Sequence, residues 1–155
     1  MNKTEIATLL HHRDPYLLID QVIEVNKNSI HAVAKPTMSN FYLQGHFPGA
    51  PIVPGAMMQE MTTQAAGILL TKFYSPVENY NSDTTKGYAL GVLRAIHMTK
   101  YKSMARPDQV LNIKVSLTDQ VENSFRFKAF IQVNDKKIMQ NEFTLVNISD
   151  EPLFE

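Results

Sequence analysis

Apolar and polar residues alternate through most of the second half of the chain. Two stretches carry an apolar residue at every second position: Leu111, Ile113, Val115 and Leu117, then Phe125, Phe127, Ala129, Ile131 and Val133. Asn134 and Asp135 supply the residues of a tight turn before a third stretch, 137–148. A period of two places one face of a strand in the core. The pattern therefore predicts long antiparallel strands with one buried face.

The first part of the chain predicts a short helix followed by a hairpin. Residues 3–10 have a helical pattern, with Thr4 as the expected cap. Residues 16–25 are apolar and β-branched, 26–29 have turn chemistry, and 30–35 alternate again. This order predicts two neighbouring strands joined by a turn.

The middle of the chain predicts one long, buried helix. Residues 36–54 contain four prolines and two glycines and predict a loop of defined shape, whereas 55–73 lack proline and suit a helix. Pro54 is well placed for a first helical turn. The apolar residues of this segment cover most of a helix circumference: Met57, Met58, Met61, Ala65, Ala66, Ile68, Leu69 and Leu70. A helix that is apolar nearly all round is a buried helix.

These elements together predict an α+β fold in which a curved antiparallel sheet wraps one central helix. We expect residues 1–155 to form a single domain, because 155 residues suit one domain of ordinary size. The polar residues 75–86 predict a flexible surface loop between the helix and the later strands.

Composition excludes several classes of function. The chain has 15 Lys plus Arg and 15 Asp plus Glu, and this balance argues against nucleic-acid binding. It has no cysteine, which excludes disulfides, thiolate metal sites and cysteine nucleophiles. The N-terminus lacks the apolar region of a signal peptide, and prolines, glycines and Glu60 interrupt the longest uncharged stretch. We therefore expect a cytoplasmic protein with no membrane span.

Candidate chemistry lies in the loop and helix of the middle region. Between Lys35 and Lys72, only His46 and Glu60 titrate near neutral pH. A carboxylate in a buried helix needs a partner, and Gln64 lies one helical turn further on. A histidine in a loop stiffened by glycine and proline, next to a desolvated carboxylate, is suited to proton transfer.

A third component is the start of the predicted helix at Gly55. Backbone N–H groups are unpaired there and the helix dipole is positive, so such a group can polarise a carbonyl and stabilise a developing enolate. Each feature alone also has an ordinary explanation: a structural loop histidine, a surface glutamate, a rigid turn and a methionine-rich core. Only their combination favours an acid/base site.

The same residues resemble a known family. Residues 41–55, which include Gln44-Gly45-His46-Phe47-Pro48-Gly49, closely resemble the active-site loop of the β-hydroxyacyl-acyl-carrier-protein dehydratases. Residues 60–67 resemble the start of their central helix, and 10–20 resemble their opening signature. The resemblance covers about residues 9–70, and the later strand pattern is compatible with it.

The resemblance implies the hotdog fold, with active sites at the interface of a dimer that often assembles further into a hexamer. His46 would then come from one subunit and Glu60 from the other. Glutamate stands where the isomerising A-type relatives carry aspartate, which favours the Z-type enzymes that only dehydrate.

Roles for individual residues follow from the same resemblance. The substrate would be a β-hydroxyacyl thioester on the phosphopantetheine of an acyl carrier protein, in fatty-acid or related lipid or polyketide synthesis. His46 would remove the α-proton, the Gly55 N–H would hold the thioester oxygen, and Glu60 would assist departure of the hydroxyl. Gln64 would orient Glu60, and the carbonyl of Ile52 would hold the other imidazole nitrogen.

Further residues are assigned by position in the family pattern. The acyl tunnel would be walled by Phe47 and by the helix methionines Met57 and Met61, and no metal or bound cofactor would be needed. The basic residues of 91–108 are candidates for docking an acidic carrier protein, although a solvated strand face explains them equally well. They are Lys100, Lys102 and Arg106.

The chain departs from the family pattern at two places. His11 replaces a proline in the opening signature, and residues 91–108 form a longer segment whose turn, Arg106-Pro107-Asp108, lacks the usual glycine. Three other functions share the same fold: a thioesterase, a non-catalytic acyl-binding or scaffold subunit, and an acyl-CoA hydratase. The histidine loop favours dehydration over the first, and the presence of both acid/base residues at the family's spacing argues against the second.

Overall fold

A computed structural model describes residues 1–154 of the protein. These residues form two α-helices, α1 and α2, and six strands, β1 to β6, with short 3₁₀ turns at Phe41–Leu43 and Glu151–Leu153. The elements run in the order α1 Lys3–Ala7, β1 Gln21–Val25, β2 Ser29–Ala34, α2 Gly55–Tyr74, β3 Ala89–Tyr101, β4 Leu111–Val121, β5 Ser124–Val133 and β6 Lys136–Ile148. The strands form one antiparallel sheet in the order β1-β2-β4-β5-β6-β3.

The sheet wraps around α2, and this confirms the predicted hotdog architecture. Residues 58–71 of the helix are buried, except that Glu60 retains some exposure. The inward-facing residues of β4, β5 and β6 pack against the helix in one core, in which Phe127 and Phe143 stack with ring centroids 5.6 Å apart. An all-round apolar helix is stable here because protein surrounds it on nearly every side.

The alternating stretches form the predicted long strands. The turn between β5 and β6 places both Asn134 and Asp135 at positive φ, 46° and 63°. These are the angles of a type I′ turn, in which asparagine and aspartate are favoured. The strong period of two and the turn residues together explain why this half of the chain was predictable.

Two details near the N-terminus differ from the prediction. Asn2, rather than Thr4, caps α1, and it forms a capping box with Glu5. The predicted strand 16–25 is a strand only over Gln21–Val25. Leu17, Leu18 and Ile19 before it are buried and lie outside the strand, and the N–H of Leu18 donates to a helix side chain.

The expectation of a free surface loop at 75–86 is wrong for the middle of that segment. Tyr80 and Ser82 are buried, and Ser82 bonds the N-terminal segment through its N–H and its hydroxyl, at 2.8 Å to the Thr8 carbonyl and 2.6 Å to the Ala7 carbonyl. The Tyr80 hydroxyl lies 2.6 Å from Nε2 of His11. Residues 80–83 therefore clasp the N-terminal segment. These contacts cannot be detected from the polar composition of the loop.

The start of β3 approaches the helix unusually closely. Gly91 has a φ of 71°, and a Cβ atom built there would lie 3.1 Å from the Cα of Gly67 in α2. Strand and helix can meet at this point because both residues lack a side chain.

We expect Gly91→Ala to lower the free energy of unfolding by about 2 kcal/mol, because alanine is strained at positive φ and its methyl group would press on the helix backbone. Chemical denaturation measures the effect. Gly45→Ala is the matched control, since Gly45 has no atom within 4 Å of a built Cβ and no positive φ. Equal stability of the two variants would contradict the close approach.

Candidate active site

The His46 loop precedes α2 and is closed by its own backbone. The N–H of Ile52 donates to the His46 carbonyl at 2.9 Å, and Phe47 and Ala50 exchange backbone hydrogen bonds at 3.0 and 3.3 Å. Gly49 turns the chain with a φ of 76°. This closed turn gives the His46 side chain a defined direction.

The imidazole of His46 is held at one nitrogen. Its Nδ1 lies 3.0 Å from the carbonyl oxygen of Ile52. A carbonyl oxygen only accepts hydrogen bonds, so in the neutral ring Nδ1 carries the proton and Nε2 has the lone pair. Phe47 stacks on the ring with centroids 4.1 Å apart and is itself half exposed. The loop therefore leaves Nε2 of His46, rather than Nδ1, as the nitrogen that can act as a base.

Glu60 lies on α2 with its side chain 19% exposed. Its Oε1 accepts a hydrogen bond from Nε2 of Gln64 at 2.9 Å, and its Oε2 accepts one from the Thr63 hydroxyl at 3.2 Å. Nε2 of His12 lies 3.4 Å from Oε1. The pair Glu60–Gln64 was expected from helical spacing, whereas the approach of His12 was not.

Gln64 connects the helix to the N-terminal segment. Its Nε2 also donates to the Tyr16 carbonyl at 2.8 Å, and its Oε1 accepts from the Leu18 N–H at 2.9 Å. Burial, and to a lesser extent the charge of Glu60, raises the pKa of Tyr16 above its ordinary value. Both polar atoms of the Gln64 side-chain amide, Nε2 and Oε1, are thus bonded, and this holds the carboxylate of Glu60 in orientation.

A cavity of about 230 Å³ lies beside Glu60. The N-terminal segment, α2 and the start of β3 form its walls, through residues that include His12, Gln64, Gly67 and Gly91. Within residues 1–154 of one chain, the walls of this cavity do not include His46. The structure of a single chain therefore does not bring the two predicted acid/base residues together at this cavity.

The start of α2 leaves the Gly55 N–H at the edge of the helix. The N–H groups of Met57 and Met58 donate to the Pro54 carbonyl and form the first turn of the helix. The Gly55 N–H precedes this turn and has no acceptor within the helix. The Tyr101 hydroxyl donates to the Gly55 carbonyl at 3.0 Å, and a Cβ on Gly55 would lie 2.8 Å from the Tyr101 ring. Burial raises the pKa of Tyr101, so its hydroxyl remains a donor. Tyr101 was missed at the sequence level.

The remaining predicted residues lie elsewhere. Met61 is fully buried in the core, Met57 packs at its margin, and neither lines the cavity beside Glu60. Three basic residues are exposed at the end of β3 and just after it, and none forms an ion pair within residues 1–154: Lys100, Lys102 and Arg106.

Two features are absent from residues 1–154. No group of three or more His, Cys, Asp or Glu side chains is placed to hold a metal ion. Neither helix in this part of the chain has both the length and the hydropathy needed to cross a membrane.

Comparison with known proteins gives the same family that the loop suggested. Residues 10–142 match the family model described as a FabA-like domain. The chain belongs to the FabA-like family. Two curated relatives, each named 3-hydroxyacyl-[acyl-carrier-protein] dehydratase FabZ, match nearly their whole length. The protein of Pediococcus pentosaceus is 35% identical over 147 residues, covering 94% of this chain and 92% of the relative. That of Rickettsia bellii is 31% identical over 142 residues, covering 91% and 92%.

Solved structures of a dehydratase complex and of a hypothetical thioesterase share the fold. The dehydratase heterocomplex ApeI:P from Xenorhabdus doucetiae matches with a TM-score of 0.73 at 19% identity, covering 93% of this chain and 90% of that one. A hypothetical thioesterase with coenzyme A from Streptococcus pneumoniae matches with a TM-score of 0.58 at 15% identity, covering 83% and 85%. At these identities the likeness establishes the hotdog fold alone.

Proposed function

We propose that this protein dehydrates (3R)-hydroxyacyl groups carried on an acyl carrier protein to trans-2-enoyl groups. Its FabZ-named relatives cover more than nine-tenths of the chain. The observation that carries the proposal is the His46 imidazole, whose Nδ1 bonds the Ile52 carbonyl and whose Nε2 is left as a base. The reaction belongs to fatty-acid or related lipid synthesis in the cytoplasm.

The first half of the proposed reaction is removal of the α-proton. Nε2 of His46 takes this proton, and the resulting imidazolium donates from Nδ1 to the Ile52 carbonyl. The Gly55 N–H, at the positive end of α2, bonds the thioester oxygen as it gains negative charge. Tyr101 supports this role by holding the Gly55 peptide in place.

The second half is loss of the β-hydroxyl. The C–O bond breaks while the double bond forms, and Glu60 gives a proton to the departing oxygen, which leaves as water. A proton then passes from His46 to Glu60, which restores both groups. Gln64 holds Glu60 in the orientation that this transfer needs. All these steps use side chains and backbone of the protein, with no metal or bound cofactor.

The proposed site is completed by a second copy of the chain. β3 is an edge strand that pairs only with β6, and it exposes Leu93 and Ile96 at 41% and 50%. Their partners in register, Leu145 and Phe143, are fully buried, so this edge presents core-type side chains to solvent. Pairing of two β3 edges would cover them and bring His46 of one copy to Glu60 of the other. Three such dimers would form the hexamer.

Mixing two inactive variants tests this shared site. In a dimer of one His46→Asn chain and one Glu60→Gln chain, one site carries both changes and the other carries neither. Random exchange of subunits should therefore restore about a quarter of the wild-type activity. The assay is the rate of dehydration before and after exchange of the subunits. Activity that stays at the level of the separate variants would place both residues in one chain's site.

The acyl chain would lie along Phe47 and α2, with Met57 and Met61 behind it.

The carrier protein would dock on Lys100, Lys102 and Arg106. Changing all three basic residues to alanine should raise KM for the carrier-bound substrate about tenfold and leave kcat unchanged. Three exposed charge pairs of about 0.5 kcal/mol each give this factor, which should shrink at high salt.

A matched control uses Lys114→Ala, Lys128→Ala and Lys136→Ala, which remove three exposed lysines from other strands. A short pantetheine thioester should be dehydrated equally well by all the variants. If the control triple raises KM as much as the first triple, the docking assignment is wrong.

The proposed function is tested by the mass of the product. Purified protein is incubated with a 3-hydroxyacyl thioester on acyl carrier protein, and we expect the acyl group to lose one water. An unchanged acyl group with a free carrier thiol would identify a thioesterase instead. No reaction over several chain lengths, on carrier protein and on coenzyme A, would identify a binding or scaffold subunit.

A further inference from the structure

His12 is the unexpected neighbour of Glu60. Its Nε2 lies 3.4 Å from Oε1 of Glu60, and its ring stacks on Tyr16 with centroids 6.0 Å apart. The side chains of His12 and Glu60 border the cavity in which the proposed reaction would take place. The inference drawn from this contact rests on that proposed function.

The protonation of the His12 ring follows from its two nitrogens. Nδ1 is buried and has no hydrogen-bond partner among the described residues, whereas Nε2 faces a carboxylate oxygen. A proton on Nδ1 would be buried without an acceptor, which is costly. The ring therefore carries its proton on Nε2, the nitrogen that lies 3.4 Å from Oε1 of Glu60.

The two oxygens of Glu60 are consequently not equivalent. Oε1 accepts a hydrogen bond from Gln64 at 2.9 Å and lies 3.4 Å from Nε2 of His12. Oε2 faces only the Thr63 hydroxyl at 3.2 Å, and that hydroxyl has a closer acceptor in the Glu60 backbone carbonyl at 2.9 Å. One oxygen is anchored while the other is available.

We propose that His12 is a positioning residue that fixes Oε1 of Glu60, so that Oε2 is the oxygen that gives its proton to the substrate hydroxyl. His12 does not touch the reacting atoms. It acts by preventing rotation of the carboxyl group, which would otherwise move the proton donor out of line.

The backbone around His12 is held by contacts from a distant part of the chain. Arg13 donates to the Leu10 carbonyl at 2.7 Å and to the His12 carbonyl at 2.9 Å, and it also binds Ser82 and Asp83. The clasp of residues 80–83 thus reaches the site through Arg13. Residues 80–83 therefore help to hold the backbone next to His12, through their contacts with Arg13.

The test compares two substitutions at one position. His12→Gln keeps an N–H donor near the place of Nε2, whereas His12→Phe keeps a ring and removes the donor. We expect His12→Phe to lower kcat roughly 10- to 100-fold with little change in KM, and His12→Gln to remain within about threefold of wild type. A purely structural role would not separate the two variants in this way.

His31→Phe is the matched control. Nε2 of His31 also bonds a side-chain oxygen, that of Asn112 at 2.8 Å, but on paired strands β2 and β4 rather than beside Glu60. We expect kcat to be unchanged. Equal losses in His12→Phe and His31→Phe, or no loss in His12→Phe, would overturn the proposal.

A spectroscopic measurement keeps the proposal testable without turnover. ¹⁵N NMR of labelled histidine should show a proton on Nε2 of His12, and its signal should shift in Glu60→Gln. A proton on Nδ1 of His12, or a ¹⁵N signal of His12 that does not shift in Glu60→Gln, would refute the positioning role. If wild-type protein fails to dehydrate the substrate, the proposed function fails, and this spectrum still decides whether His12 holds Glu60.

Discussion

His46→Asn should lower kcat/KM for dehydration by about 100- to 10,000-fold, the range for loss of a general base. Asparagine places an amide N–H close to the position of Nδ1, so the hydrogen bond to the Ile52 carbonyl and the shape of the loop are retained. Only the basic nitrogen is lost. The measurement is the rate of water loss from a carrier-bound 3-hydroxyacyl group, followed by product mass.

His31→Asn, at the histidine far from the cavity, provides the control and should retain full activity. The thermal midpoint of both variants should stay near that of wild type, because neither histidine belongs to the buried core. A His46→Asn protein that dehydrates within threefold of wild type would show that another group removes the α-proton.

Glu60→Gln is expected to reduce kcat by about 100- to 1,000-fold while KM changes little, since the loss concerns proton transfer and not binding. The glutamine Oε1 can still accept from Gln64 and lie beside His12, so the helix and the cavity wall remain intact. The amide that replaces Oε2 cannot supply the proton of a carboxylic acid. Steady-state kinetics on the carrier-bound substrate measure the effect.

Glu142→Gln is the matched control, because Glu142 is a partly buried carboxylate paired with Arg126 and Lys128 away from the cavity. Its kcat should stay within twofold of wild type. Deuterium exchange at the α-carbon separates the two roles: Glu60→Gln should still exchange this hydrogen, whereas His46→Asn should not. Loss of exchange in both variants would mean that the roles are not divided as proposed.

Much of the architecture could be predicted because its causes are local. The apolar residue at every second position of β4 and β5 requires one buried face, and the pair Asn134-Asp135 suits the tight turn that follows. The apolar residues of helix 55–74 cover most of its circumference, which favours its burial, and the structure buries it together with several polar residues. The pairing of Glu60 with Gln64 follows equally from the 3.6-residue period.

The site beyond these pairs depends on contacts between residues far apart in the chain. His12 meets Glu60 across 48 positions and Tyr101 meets Gly55 across 46, and no local pattern marks either pair. The clasp of Tyr80 and Ser82 on the N-terminal segment is of the same kind, which is why a polar composition was mistaken for a free loop. Periodicity reports which face of an element is buried, whereas only the folded chain decides which side chains meet there.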